Sequence, residues 1–271
     1  MNAFERYKAR IVVKGFAQEA GFDFDETFAP VVQIDSVRTL FAISAGKGLH
    51  IVQADIKNAF LHSDSDFQIY VQQPEGFVDA NYPHAVLLLN KALYGLKQAP
   101  RLWYLLISEI IISLGFQVFE TDTSIYIRNQ IVLAVYVDDI LIAGPSIHSC
   151  NAVITELSQH IEVVNKGEVK SFLGLKVVRN WQTHTISISQ PGKIDQLLAK
   201  YNMMNVRSAN TPFEPGTKLR MATENDKLCN VELYQELTGS LNHLAVFSRP
   251  DITFAVSKLS KYNANPTVCF T

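Results

Sequence analysis

Cysteine is scarce in this chain, with three in 271 residues, at Cys150, Cys229 and Cys269. The number is odd, the spacing is wide and no pair has metal-ligand spacing, so all three read as reduced thiols. Long apolar runs are missing too, and the first residues, MNAFERYKAR, are charged. That argues against a bilayer span or a secretory leader and predicts a soluble, intracellular protein. Internal repeats and low-complexity segments are absent, and the net charge of −2 carries no whole-chain sign of a polyanionic partner. What is present is apolar content: 48% of residues are hydrophobic, enough for one large core or two smaller domains.

Residues 131–143 read IVLAVYVDDILIA, an apolar stretch split by Asp138 and Asp139. A carboxylate among such neighbours costs several kcal/mol unless water or a cation compensates it. A solvated hairpin turn satisfies that demand, and so does a bound divalent ion. Charge is uneven elsewhere. Residues 166–220 hold nine Lys or Arg against three acids, either a phosphate-tracking surface or an ordinary solvated face. The N-terminal Arg6, Lys8, Arg10 and Lys14 are followed at once by Asp23, Asp25 and Glu26.

Hydrophobic period sets the elements. Tyr7 to Gly15 alternates as a strand does. Asp35 or Ser36 can cap a helix carrying Val37, Leu40, Phe41 and Ala45, which Gly46 and Gly48 end. In the strand Leu49 to Ile56 a period of two sets Val52, Ala54 and Ile56 on one face and Ile51, Gln53 and Asp55 on the other, so Asp55 is free for chemistry. KQAPRLWYLLISEIIISLG has Pro100 in its first turn and apolar residues nearly all round, predicting a buried central helix. Ser124 to Arg128, Ile131 to Val137 and Ile140 to Ala143 are strand runs. Ser146 can cap a helix bearing Ile147, Cys150, Ile154 and Leu157. Phe172 to Arg179 and Thr185 to Ser189 predict a second hairpin. Helical spacing returns at Ile194, Leu197, Leu198 and Tyr201, and at Ile252, Ala255, Val256 and Leu259, with a break near Gln190-Pro191-Gly192.

This order predicts an α+β fold, a sheet backed by helices and followed by a more helical part. Asp55 at one strand end and Asp138-Asp139 at a hairpin tip would then converge at one sheet edge. Three converging carboxylates repel one another without cations, and hard oxygen ligands suit Mg²⁺. Two such ions serve in-line phosphoryl displacement.

The blocks RYKARIVVKGFAQ (6–18), DETFAPVV (25–32), QADIKNAFLH (53–62), LYGLKQAPRLWY (93–104), VYVDDILIAG (135–144), FLGLKV (172–177) and SRPDITFAVSKLS (248–260) stand in the order found in copia-type retrotransposon polyproteins. The chain resembles their reverse transcriptase region over essentially its whole length. The resemblance implies a right-hand polymerase fold: fingers at 1–50 and 65–100, a β-sheet palm backed by helices with a primer-grip hairpin at 51–64 and 101–190, and a partial helical thumb and connection at 191–271. It implies RNA-directed DNA polymerisation on an RNA or DNA template with primer and deoxynucleoside triphosphates. Two Mg²⁺, with Mn²⁺ as substitute, would be held by Asp55, Asp138 and Asp139, of which Asp138 is expected to be the more essential of its pair. No membrane partner is implied. Integrase and ribonuclease H domains are expected in the full element, and the setting is a cytoplasmic virus-like particle or the nucleus.

By the same resemblance Lys8 and Arg10 hold the incoming triphosphate, Phe60 lies beneath its sugar and Gln98 contacts it near the template base. Tyr136 lies under the primer terminus, which Phe172, Leu173 and Gly174 grip. Each has a plainer reading as well: a solvated strand face, core packing, a polar helix start, a buried strand tyrosine, a hairpin glycine. Departures from the family pattern fall at His62-Ser63, in a loop, and at Asn242-His243, where burial without partners would be costly. A tryptophan-containing fingers strand is expected upstream of residue 6 and a ribonuclease H domain beyond PTVCFT. The chain therefore reads as a polyprotein fragment, with a truncated, inactive relic that at most binds nucleic acid as the alternative.

Overall fold

The computed structural model describes residues 9–214, 216–217, 219–220, 222–223, 226 and 229–267, and it divides into two compact units, one up to Val169 and one from Lys170. In the first unit residues 9–14 form no regular element and lead into a 3-10 turn at Gly15–Ala17. The strand expected from Tyr7 to Gly15 is thus absent over its described part. Alternation makes a strand only where a partner completes the ladder, and here one bond, from the Val13 N–H to the Tyr94 carbonyl at 2.8 Å, reaches a neighbouring segment. The two backbones nearly touch. A Cβ on Gly95 would lie 2.0 Å from the Val13 carbonyl oxygen, and its φ of +95° is one that L residues rarely adopt.

Val37, Leu40, Phe41 and Ala45 are buried along α1 (Ile34–Lys47), and Gly48, at φ +68°, ends it as expected. Its N-cap differs. Gln33 occupies the cap position and donates its backbone N–H to Asp122 Oδ2 at 3.0 Å, while Asp35 sits in the first turn, where its charge suits the helix dipole. In β1 (His50–Ile56) Val52, Ala54 and Ile56 are buried and Gln53 and Asp55 are partly exposed, as the period of two predicts; Ile51, on the second face, is also buried. A separate pair, β2 (Tyr70–Gln72) with β3 (Val86–Leu88), had no clear sequence signal.

Pro100 starts α2 (Ala99–Ser113), which buries Ala99, Trp103, Ile107 and Ile111. It is one-faced rather than central, because Leu105 and Ile112 are each 48% exposed. Next come β4 (Gln117–Phe119), β5 (Asp122–Arg128), β6 (Ile131–Tyr136) and β7 (Asp139–Gly144), joined through two-residue turns at 120–121, 129–130 and 137–138. Ser146 caps α3 (Ile147–Leu157) as expected, its hydroxyl accepting the Ser149 N–H at 3.0 Å. The unit closes with β8 (Val163–Glu168). The six-stranded sheet has the order β4-β5-β6-β7-β1-β8, antiparallel throughout. Val52, Ala54 and Ile56, with Leu133, Val135, Ile140 and Ile142 from the neighbouring strands, form one core with Trp103, Ile107, Ile111, Val153 and Leu157 of the two helices.

The second unit contains β9 (Ser171–Phe172), β10 (Leu175–Asn180) and β11 (Thr185–Ser189) in the sheet order β11-β10-β9. Its helices are α4 (Pro191–Lys200), α5 (Val231–Phe247) and α6 (Thr253–Ser260). The Gln190-Pro191-Gly192 break lies inside this unit, where it starts α4. Asn242 is exposed, so it carries no burial cost; His243 is half-buried and stacks on Phe247, with ring centroids 4.3 Å apart. The expected α+β class is what the chain adopts, and no helix among the described residues is long and apolar enough to cross a membrane.

Candidate active site

Antiparallel pairing of β1 with β7 sets Asp55 directly opposite Asp139, and pairing of β6 with β7 sets Tyr136 opposite Asp139. Cross-strand partners share a face, so these three side chains belong to one patch at the ends of three central strands, on the face opposite Val52 and Ile140. Gln53, two residues before Asp55, donates its side-chain N–H to Asp139 Oδ1 at 3.1 Å. Asp138 lies in the turn. Its carbonyl accepts the Ile56 N–H at 2.8 Å, which ties the turn to the end of β1.

The turn is strained. Val137 holds φ at +53°, a conformation that a β-branched residue adopts only under constraint. The constraint is visible: the indole N–H of buried Trp103, on α2, donates to the Val137 carbonyl at 2.8 Å.

Burial pushes the Asp139 carboxyl above the usual carboxylate range, and the charges of Asp138 and Asp55 push it further. The Gln53 hydrogen bond and the Lys166 charge pull it back. Lys166, on β8, stands with Nζ 3.6 Å from Asp55 Oδ2. Tyr94 belongs to the same field. Its phenol is raised by burial first and by Asp138 and Asp55 as well, while Arg10 lowers it. The Arg10 guanidinium lies 5.5 Å from the Tyr94 ring centroid, and Phe60, 7% exposed, meets that ring edge-on at 4.6 Å.

The first unit therefore brings Asp55, Asp138, Asp139 and Tyr136 together, with Arg10 and Phe60 linked to them through Tyr94. Lys8 lies outside the described residues. Gln98, the expected nucleotide contact, is held within the protein. It is 1% exposed, its side-chain oxygen accepts from Gln18 at 3.0 Å and its side-chain nitrogen donates to the Asp23 carbonyl at 2.8 Å and to Asp66 Oδ1 at 3.3 Å. Those bonds use both ends of the amide to tie residues 18–23 to the start of α2. Phe172, Leu173 and Gly174 lie in the second unit, in a tight turn where buried Phe172 pairs with Leu175. Gly174 supplies a φ of +76°; a Cβ there would meet no other protein atom within 4 Å.

Sequence reasoning missed Gln53, Tyr94, Trp103 and Lys166. Gln53 was legible, since period two puts it on the Asp55 face; Trp103 and Lys166 were not, because their contacts depend on how distant elements pack. The donor set of three carboxylates suits a hard divalent cation in chemistry and charge. Among the described residues, however, no three His, Cys, Asp or Glu converge as a ready-made ligand cluster, and Asp55 has Lys166 beside it instead.

Residues 2–215 match the reverse transcriptase (RNA-dependent DNA polymerase) family. The chain belongs to that family. Over 272 residues it is 39% identical to the retrovirus-related Pol polyprotein from transposon TNT 1-94 of Nicotiana tabacum, an alignment covering 96% of this chain and 20% of that protein. It is 38% identical over 270 residues to the corresponding polyproteins from transposons RE1 and RE2 of Arabidopsis thaliana, covering 98% of this chain and 18% of each. The chain spans about a fifth of the length of these relatives. By family this reverse transcriptase is an RNA-directed DNA polymerase, and both the DD turn and the strand carrying Asp55 lie within the matched residues.

Proposed function

We propose that the chain is the polymerase centre of a copia-type retrotransposon polyprotein, extending a primer 3′-hydroxyl on an RNA or DNA template. The observation that carries this reading is the cross-strand register of Asp55 with Asp139 beside the Asp138 turn, within a chain of the reverse transcriptase family. In it residues 1–50 and 65–100 are the fingers, 51–64 and 101–190 the palm with its primer-grip hairpin, and 191–271 the thumb and partial connection. Asp55, Asp138 and Asp139 would hold Mg²⁺, or Mn²⁺ in its place, which when bound activates the attacking hydroxyl and offsets the charge of the leaving pyrophosphate.

The protein's own groups do the positioning. Gln53 fixes the Asp139 carboxylate by donating to one of its oxygens and leaves the other free. Trp103 and the Ile56 N–H hold the turn that carries Asp138. Arg10, alongside Tyr94, offers a cation to the triphosphate, whose oxygens match a guanidinium fork. The Phe60 ring, packed on Tyr94, bounds the place of the sugar and would exclude a 2′-hydroxyl. Tyr136 supports the primer terminus, and the turn at Phe172, Leu173 and Gly174 grips the primer strand. The basic surplus between 166 and 220 supplies counter-charge for nucleic-acid phosphates.

Primer extension on poly(rA)/oligo(dT) tests the reading. The wild-type chain is expected to incorporate dTTP and Asp138→Asn to lose about three orders of magnitude of rate or more, the scale of removing transition-state charge stabilisation. Comparable extension by both proteins would overturn the assignment of the site.

A further inference from the structure

We propose that Lys166 is a resident counter-cation of the carboxylate cluster, which a divalent ion must displace, so that this one side chain sets the metal concentration at which the site fills. The inference rests on the polymerase reading of Asp55, Asp138 and Asp139 given above.

Its basis is a bulge. Along β1 and β8 the pairing runs Val52 with Glu168 and Gln53 with Gly167, then steps to Ala54 with Asn165. Lys166 has no partner on β1 and is the extra residue. A bulge re-aims a side chain that regular alternation would send elsewhere, and here the ammonium arrives 3.6 Å from Asp55 Oδ2. The bulge is built in. Gly167 holds φ at +78° and donates its N–H to Asn165 Oδ1 at 2.7 Å, while Asn165 Nδ2 donates to Asn151 Oδ1 on α3 at 2.9 Å.

The pair is also made to open. At 3.6 Å the contact is loose, and the lysine side chain is 48% exposed on a flexible four-carbon stem, so little free energy is lost when it swings out. In place it keeps Asp55 engaged. An ammonium and a divalent ion within a few ångströms of the same carboxylate repel each other strongly, so loading requires Lys166 to leave.

Mn²⁺ titration of the full chain, without nucleotide or primer and with free Mn²⁺ read by electron paramagnetic resonance, tests this. Lys166→Met, of similar length and without charge, is expected to half-saturate at an Mn²⁺ concentration about tenfold below wild type, a difference that shrinks as NaCl is raised. Lys166→Arg keeps the charge and is expected to stay near the wild-type value, which separates charge from folding. If Lys166→Met binds Mn²⁺ no more tightly than wild type while Asp138→Asn binds it weakly, the counter-cation is overturned and the metal-site reading stands. If Asp138→Asn binds as tightly as wild type, that reading fails and takes the inference with it.

Discussion

Single side chains around the DD turn divide into those that would touch substrate and those that hold the others in place. Trp103 is of the second kind, since its indole N–H holds the Val137 carbonyl of the turn. Trp103→Phe keeps most of the ring but removes one hydrogen bond to a strained turn, a loss of about 1 kcal/mol. The expected outcome in steady-state primer extension is a kcat about three- to tenfold lower with KM for dTTP nearly unchanged, because the lost constraint acts on geometry rather than binding. In the proposed polymerase reading Phe60 is of the first kind. Phe60→Val empties space beside Tyr94, and competition between ribo- and deoxynucleotides is expected to show discrimination weakened by about tenfold or more. Unchanged selectivity would return Phe60 to plain core packing.

At the level of elements, the N-terminal segment depends on a backbone contact. Residues 9–14 lack a ladder and are seated by the bond from Val13 to Tyr94 and the close approach of Gly95. Gly95→Ala drives a Cβ into the Val13 carbonyl and forces alanine to positive φ, a combined strain of about 2 kcal/mol or more. Limited proteolysis is expected to cut the variant faster near residues 9–20, and its KM for dTTP should rise as Arg10 loses its place beside Tyr94. Gln98 belongs to this scale as well. Buried, with both ends of its amide hydrogen-bonded, it clasps residues 18–23 to the start of α2.

For the whole molecule, division into two compact units means that unfolding need not be a single transition. The second unit contains a histidine that links its stability to pH. Burial, and then the Lys193 charge, lower the His243 imidazole below its ordinary range, and its Nδ1 is buried without a hydrogen-bond partner. The folded state therefore prefers neutral His243, so the unfolded chain binds the proton more readily. Stability from this group is complete above its ordinary pKa and is lost as pH falls from there through the lowered folded value. Thermal melts between pH 7.5 and 5.5 are expected to show the second unit destabilised on acidification, and His243→Phe, which keeps the stack on Phe247, is expected to blunt that dependence.

The amino-acid sequence by itself determined the α+β class, the strand carrying Asp55, the hairpin holding Asp138 and Asp139, the Ser146 cap and membership of the reverse transcriptase family. All of these are local patterns, of period, turn or motif, which a few neighbouring residues encode. Tertiary structure alone decided the rest. Whether the alternation near residue 9 became a strand depended on a ladder partner, which the described residues do not supply, and whether Gln98 faced solvent depended on Gln18, Asp23 and Asp66 closing over it. Val137 keeps its strained backbone beside a tryptophan 34 residues away, and Lys166 meets Asp55 because of a register step between two strands more than a hundred residues apart. Pairing and burial between distant segments leave no periodic trace in either one, so the charges that tune the site became visible only when the chain was folded.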